Sequence, residues 1–152
     1  MRLLIAAVGR ARAGPATDLY ADYARRLAWP LELREVELRQ HLPPPKSKAR
    51  EAELLLAAVP AGGRVVALDE AGRALDSAGF ATLLGRWHDE SVSHATFLLG
   101  GADGHGDAVR VAADLVLSLG PMTWPHMLAR VMLVEQLYRA TTILSGHPYH
   151  RA

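Results

Sequence analysis

The chain has 152 residues, 17 Lys and Arg against 16 Asp and Glu, and no cysteine. A domain of this length buries roughly two thirds of the surface its extended chain would expose, so its core needs neither disulfide nor metal. The missing cysteines exclude a disulfide scaffold, a thiolate zinc site and a cysteine nucleophile, and 50% apolar with 22% charged residues argues against disorder.

Residues 2–8 (RLLIAAV) are a short apolar run and predict a strand. Its apolar part, Leu3 to Val8, is six residues long and is followed by Gly9, Arg10 and Arg12, too short for a secretory core of about 7–15 uninterrupted apolar residues. No later stretch approaches the ~20 residues of a membrane span. The expectation is a cytoplasmic protein with no membrane partner. A helix is expected over 15–27, with Pro15 at its first position. In residues 31–38, Leu31, Leu33, Val36 and Leu38 are interleaved with Glu32, Arg34 and Glu37, which predicts a strand with one wet face, at an edge of its sheet. The run HLPPP at 41–45 reads as a stiff connector.

Further along, a helix over 47–59 has Ser47 as its expected N-cap and Gly62-Gly63 beyond its end. Strands follow at 64–68, 96–99 and 115–119, and helices at 77–88, with Ser77 as the expected cap, and at 126–144, closed by Gly146. Strands alternating with helices define one α/β domain over residues 1–152, a mainly parallel sheet flanked by helices. In the last helix Leu128, Val131, Met132, Leu133, Val134, Leu137, Ile143 and Leu144 spread around most of the circumference. A helix apolar nearly all round is buried nearly all round. Its second face is expected to meet another copy of the chain in a homodimer, or else a neighbouring helix of its own chain.

The near-zero net charge hides an asymmetry. Residues 1–50 hold ten Lys and Arg against five acids, a net of +5, and residues 51–152 hold seven bases against eleven acids, a net of −4. A basic first third suits nucleic acid, and equally a solvated surface.

Three segments follow strands of the expected parallel sheet, where ligands of open α/β sheets sit. The first, DEAGR at 69–73, is expected to be a loop. The second, GGADGHGD at 100–107, has glycines that let a ligand approach the backbone. Its spacing fits neither the phosphate-binding loop nor the dinucleotide fingerprint. Asp103 and Asp107 would repel phosphate, so a neutral or cationic ligand suits it better, and a plain tight turn suits it as well. The third, GPMTWPH at 120–126, is stiffened by Pro121 and Pro125 and offers Met122 and Trp124 as apolar contacts; taken alone it is equally a strand-to-helix turn. Glu135 and Arg139 have the spacing of a helix-surface ion pair. His147 and His150 lack the acidic or thiol partners of a metal site, and no metal is expected.

Taken together, FLLGGADG at 97–104, LSLGPMTWPH at 117–126, Arg130-Val131, EQLYRA at 135–140 and HPYHR at 147–151 closely resemble one family. It is that of the small SPOUT-class methyltransferases modifying a pseudouridine of large-subunit ribosomal RNA, the ribosomal RNA large subunit methyltransferase H family. The likeness covers essentially the whole chain. It implies an α/β fold with a C-terminal deep trefoil knot, a homodimer, and S-adenosylmethionine as methyl donor without a metal. The implied target is ring nitrogen 3 of a pseudouridine in helix 69 of 23S rRNA, in the assembled 70S ribosome. Family cofactor contacts fall on Leu68, Gly101, Gly120, Pro121, Met122, Thr123, Trp124 and Pro125. The tail at Tyr149, His150 and Arg151 is implied to complete the active site across the dimer, with His126, Glu135 and Arg139 close by. Imidazole titrates near neutral pH, which makes His150 the expected proton acceptor, and Arg139 and Arg151 are expected to contact phosphate or base. Ala102 stands where the family commonly has Pro, and Gly120-Pro121 where it has small or polar residues.

Overall fold

In a computed structural model of the chain, residues 1–150 are described; Arg151 lies outside them. The elements run β1 (Arg2–Val8), α1 (Pro15–Arg26), β2 (Leu31–Val36), α2 (Lys46–Ala57), β3 (Arg64–Ala74), α3 (Ser77–Asp89), β4 (His94–Leu99), α4 (Asp107–Ala112), β5 (Leu115–Ser118) and α5 (His126–Ser145). A 3-10 turn at Pro148–His150 follows. The five strands form one all-parallel sheet in the order β2-β1-β4-β3-β5.

Side chains alternate across each strand, so a strand covered on both faces must be apolar at every position. Leu3, Ile5, Ala7, Ala95, Phe97 and Leu99 join Phe80, Leu84 and Trp87 of α3 and Leu133, Leu137 and Ala140 of α5 in one core. Ala6, Val65, Ala67 and Leu98 face the other way, against Ala52 and Leu55 of α2 and Val109 of α4. β2 is an edge strand with half-exposed alternation, as its interleaved charges indicate.

Four local expectations are corrected. Segment 69–73 belongs to β3, which extends to Ala74. Leu117 of β5 pairs both with Leu68 and with Arg73, so β3 passes across β5. Gly72 marks the crossing: a Cβ there would lie 2.8 Å from the backbone of Val116 and Leu117. Secondly, α4 follows the glycine loop; with six residues it is too short to show a helical period. Thirdly, α3 is capped by Asp76, whose carboxylate accepts from Gly79 N–H at 2.7 Å, while the Ser77 hydroxyl donates to Gln136 at 2.7 Å. Fourthly, Ser47 is buried within the first turn of α2, after an N-cap at Pro45.

α5 packs on the sheet and against α1 and α3 of its own chain. Leu133, Val134 and Leu137 are fully buried, and Leu128 and Leu144 near its ends remain exposed. Its all-round apolarity is therefore met largely within one chain. Gly146, in the left-handed region at φ 70°, ends it.

Candidate active site

The middle of β3 and the carboxyl ends of β4 and β5 open into a cleft of about 410 Å³. Leu68, Asp69 and Glu70 form one wall, the loop Gly100–Gly104 a second, and Leu119, Gly120, Met122, Thr123, Trp124 and His126 a third. At Gly101 the chain comes close to Glu51: a Cβ there would lie 2.7 Å from its carboxylate and would displace that side chain. The third wall is rigid. The Ser118 hydroxyl donates to Glu70 O and accepts from Gly120 N–H, each at 3.1 Å, which ties this loop to the crossing segment of β3. Pro125 caps α5 and fixes the direction in which the loop enters it. Met122 and Trp124 are left 68% and 39% exposed, large apolar surfaces that a ligand in the cleft would cover.

The cleft is acidic. Asp69 has its charge answered by Arg110, 2.7 Å away. Burial alone would raise the Asp69 carboxyl, but hydrogen bonds from Arg110 and Ala71 N–H outweigh it and hold the group below its ordinary value. Glu70 accepts only the Thr123 hydroxyl, at 3.2 Å, and Asp103 stands without a cationic partner among the described residues. Burial, and then the negative charge of Asp103, push the Glu51 carboxyl upward. Such a site favours a cation over a phosphate.

The tail forms a second cluster. The Tyr149 hydroxyl donates to Glu135 Oε1 at 3.0 Å and lies 3.2 Å from the Tyr23 hydroxyl. Arg139 donates Nε and Nη2 to the same Glu135 oxygen, at 3.0 and 2.6 Å, and that hydrogen bond raises the guanidinium pKa. Burial first, then hydrogen bonding to Tyr23 and Glu135, pushes the Tyr149 phenol well up. Arg26 stacks over Tyr23 at 4.4 Å and Tyr138 at 4.8 Å. His150 is half-buried, and its Nδ1 has no partner among the described residues.

The residues expected at the site therefore separate. Leu68, Gly101, Gly120, Met122, Thr123, Trp124 and His126 line the cleft together, whereas Pro121 and Pro125 alternate with them along the third wall without lining it. Glu135 instead lines a neighbouring cavity of about 650 Å³, which shares Leu117, Leu119 and Gly120 with the cleft. Arg139, Tyr149 and His150 line neither.

Two buried groups escaped the reading of their residues. His105, 2% exposed, lies beneath the glycine loop with Nε2 3.1 Å from Leu98 O and Nδ1 unpartnered. Arg130, 3% exposed, reaches from α5 to Glu35 at 2.6 Å and to the carbonyls of Val8 and Gly9 at 3.1 and 2.6 Å. An arginine inside an otherwise apolar helical stretch was the available signal for it.

A parallel sheet covered on both faces, with an acidic, apolar-walled cleft at its carboxyl edge, defines an α/β protein built to bind a small ligand at that edge. A family described as "Predicted SPOUT methyltransferase" matches residues 1–150. Relatives called ribosomal RNA large subunit methyltransferase H are 62% identical over 151 residues in Paramagnetospirillum magneticum, covering 99% of each chain. The relatives of that name in Rhodospirillum centenum and Rhodospirillum rubrum are 59% and 54% identical over 152 residues, covering both chains fully. Among solved structures, a probable methylase family protein from Haemophilus influenzae aligns with a TM-score of 0.57 and 10% identity, over 99% of this chain and 70% of that one. The SpoU methyltransferase AviRb of Streptomyces viridochromogenes, in complex with the cofactor AdoMet, aligns with a TM-score of 0.50 and 15% identity over 92% of this chain, which spans 58% of AviRb. The chain belongs to the SPOUT methyltransferase family, in the group of the ribosomal RNA large subunit methyltransferases H.

Proposed function

We propose that the protein is a cytoplasmic enzyme that transfers the methyl group of S-adenosylmethionine to ring nitrogen 3 of a pseudouridine in helix 69 of 23S rRNA, in the assembled 70S ribosome. It works as a homodimer of single SPOUT domains whose C-terminal part forms a deep trefoil knot. The passage of β3 across β5 at Gly72 supports that threading.

The observation that carries the reading is the pairing of unneutralised carboxylates at Glu70 and Asp103 with open apolar surface at Met122 and Trp124 in one cleft. That combination fits a ligand with a cationic sulfur and a flat heterocycle. Bound there, S-adenosylmethionine supplies an electrophilic methyl group on positively charged sulfur. Leu68, Gly101, Gly120, Thr123 and the prolines Pro121 and Pro125 would shape the walls that hold it, and Trp124 and Met122 would supply apolar surface to its heterocycle.

Methylation forms a nitrogen–carbon bond, breaks a sulfur–carbon bond and releases the proton of the target nitrogen. His150 accepts that proton. Arg139 and Arg151 contact phosphate or base, Glu135 and Tyr149 set the tail, and His126 sits at the cleft rim. The described part of the tail, Tyr149 and His150, does not line the cleft of its own chain, which supports completion of each site by the tail of a second copy. Holding donor and acceptor in line contributes several kcal/mol to the rate, about 7 or more in well-oriented cases.

Calorimetry with S-adenosylmethionine tests the reading. Saturable binding that Trp124→Ala weakens supports it, and absence of binding leaves only a non-catalytic ribosome-binding protein. A single-turnover rate on 70S ribosomes unchanged by His150→Ala would remove that residue from the proton step.

A further inference from the structure

The basic side chains of the first fifty residues are not equivalent in the fold. Arg25 and Arg26 pair with Asp22, Arg34 with Glu32, Arg50 with Glu53, and Arg10 lies 3.5 Å from Glu37. Among the described residues Arg2, Arg12, Arg39, Lys46 and Lys48 have no carboxylate at ion-pair distance. Arg2 opens β1 at the amino edge of the sheet. The other four follow the carboxyl ends of β1 and β2, on the edge that carries the cleft. A Cβ on Gly106, just after the glycine loop, would lie 3.5 Å from the Lys48 carbonyl, which places that lysine's backbone beside the cleft wall.

Arg12 differs from Arg2, Lys46 and Lys48 in lying on a loop outside helix and strand, and that loop is tied to the fold by buried contacts. Arg130 Nη2 donates to the carbonyls of Val8 and Gly9, at 3.1 and 2.6 Å. Gly9 N–H donates to Val36 O at 2.9 Å, Ala11 N–H to Glu35 Oε1 at 2.6 Å, and the Thr17 hydroxyl to Arg12 O at 2.5 Å. The Glu35 oxygen that receives Ala11 also receives Arg130 Nη1, at 2.6 Å. Burying a guanidinium is costly, and an apolar side chain would staple α5 to the sheet as well. What an apolar side chain could not do is hold the backbone of Val8 and Gly9 directly and that of Ala11 through Glu35, on the approach to the exposed Arg12, whose own carbonyl is held by Thr17. The acidic cleft disfavours phosphate, so cations around its rim are the natural grip for an RNA substrate, and the planar fork of arginine suits a phosphate.

Building on the RNA-methylation reading, we infer that the loop from Gly9 to Gly14 is a preformed RNA-docking arm. Arg12 takes a backbone phosphate of the substrate RNA, Lys46 and Lys48 extend the same rim, and the buried Arg130–Glu35 pair is the positioning device that sets the arm.

The test is binding of the full-length protein to 70S ribosomes without methyl donor, as a function of salt. Arg12→Ala weakens binding about tenfold and lowers the log-log salt slope by about one. Arg86→Ala, the same charge change on exposed α3 away from the rim, leaves both unchanged. Arg130→Lys weakens ribosome binding in the wild-type background and adds nothing in the Arg12→Ala background, as expected of a residue that acts through Arg12. Affinity for S-adenosylmethionine stays at the wild-type value throughout. Arg12→Ala binding within twofold of wild type with an unaltered salt slope would overturn the arm, and additive losses for Arg130→Lys would overturn the positioning role. Methylation by the wild-type protein on the same ribosomes is scored separately, so failure of the catalytic reading is a different result.

Discussion

The Tyr149 hydroxyl and the Arg139 guanidinium share one oxygen, Oε1 of Glu135, at 3.0 and 2.6 Å. A single carboxylate on the third turn of α5 thus holds both the C-terminal tail and Arg139 on the fourth. Tyr149→Phe removes the hydrogen bond to the Glu135 carboxylate and the contact with the Tyr23 hydroxyl and should cost about 1.5–3 kcal/mol, a fall of roughly 3–12 °C in Tm for a chain of this size. If the tail serves catalysis, the single-turnover rate falls by more than that stability loss explains. An unchanged rate at full ribosome saturation would separate the tail from the chemistry.

Gly72→Ala would place a methyl carbon 2.8 Å from the backbone of Val116 and Leu117. Backbone on both sides leaves little room to yield, and overpacking of this kind costs about 1–3 kcal/mol. Urea unfolding should show a lower midpoint with an unchanged slope. Wild-type stability would mean that β3 and β5 do not cross as closely as described.

His105 supplies a pH dependence whose sign follows from its burial. Burial is the main cause that lowers its pKa below the ordinary imidazole value, against the opposing hydrogen bond to Leu98 O. The unfolded chain therefore takes up this proton more readily than the folded one. The contribution is fully present above about pH 6.5, the unfolded value, and is lost as pH falls from there toward the folded value. Denaturant midpoints should decline over that window, and His105→Gln should flatten the decline. An equally steep decline in the variant would assign it to other groups.

Asp76→Ala should destabilise the protein by about 1 kcal/mol through loss of the N-cap of α3, read as a reduced denaturant midpoint. The same loss in a Gly79→Ala variant that retains Asp76 would point to crowding at that carboxylate instead, since a Cβ on Gly79 would lie 2.9 Å from Asp76 Oδ1.

The alternation of strands and helices was legible because β1, β4 and the first half of β3 are buried and read as nearly unbroken apolar sequence, with β2 marked as one edge by its charges. Asp76 and Ser77 are adjacent residues of nearly equal capping preference, so local pattern could not choose between them. Segment 69–73 has the composition of a turn, and only the approach of β5, more than forty residues later, makes it strand. The cleft residues were assembled in advance mainly by resemblance. His105 and Arg130 owe their placement to partners at Leu98, Val8, Gly9 and Glu35, which spacing along the chain cannot reveal.

The most direct measurement is mass spectrometry of helix 69 RNA from unmodified 70S ribosomes incubated with the protein and S-adenosylmethionine. The account predicts one added methyl group on a pseudouridine, at ring nitrogen 3, dependent on both protein and donor. RNA that gains no methyl group, or gains it outside that helix, would contradict it.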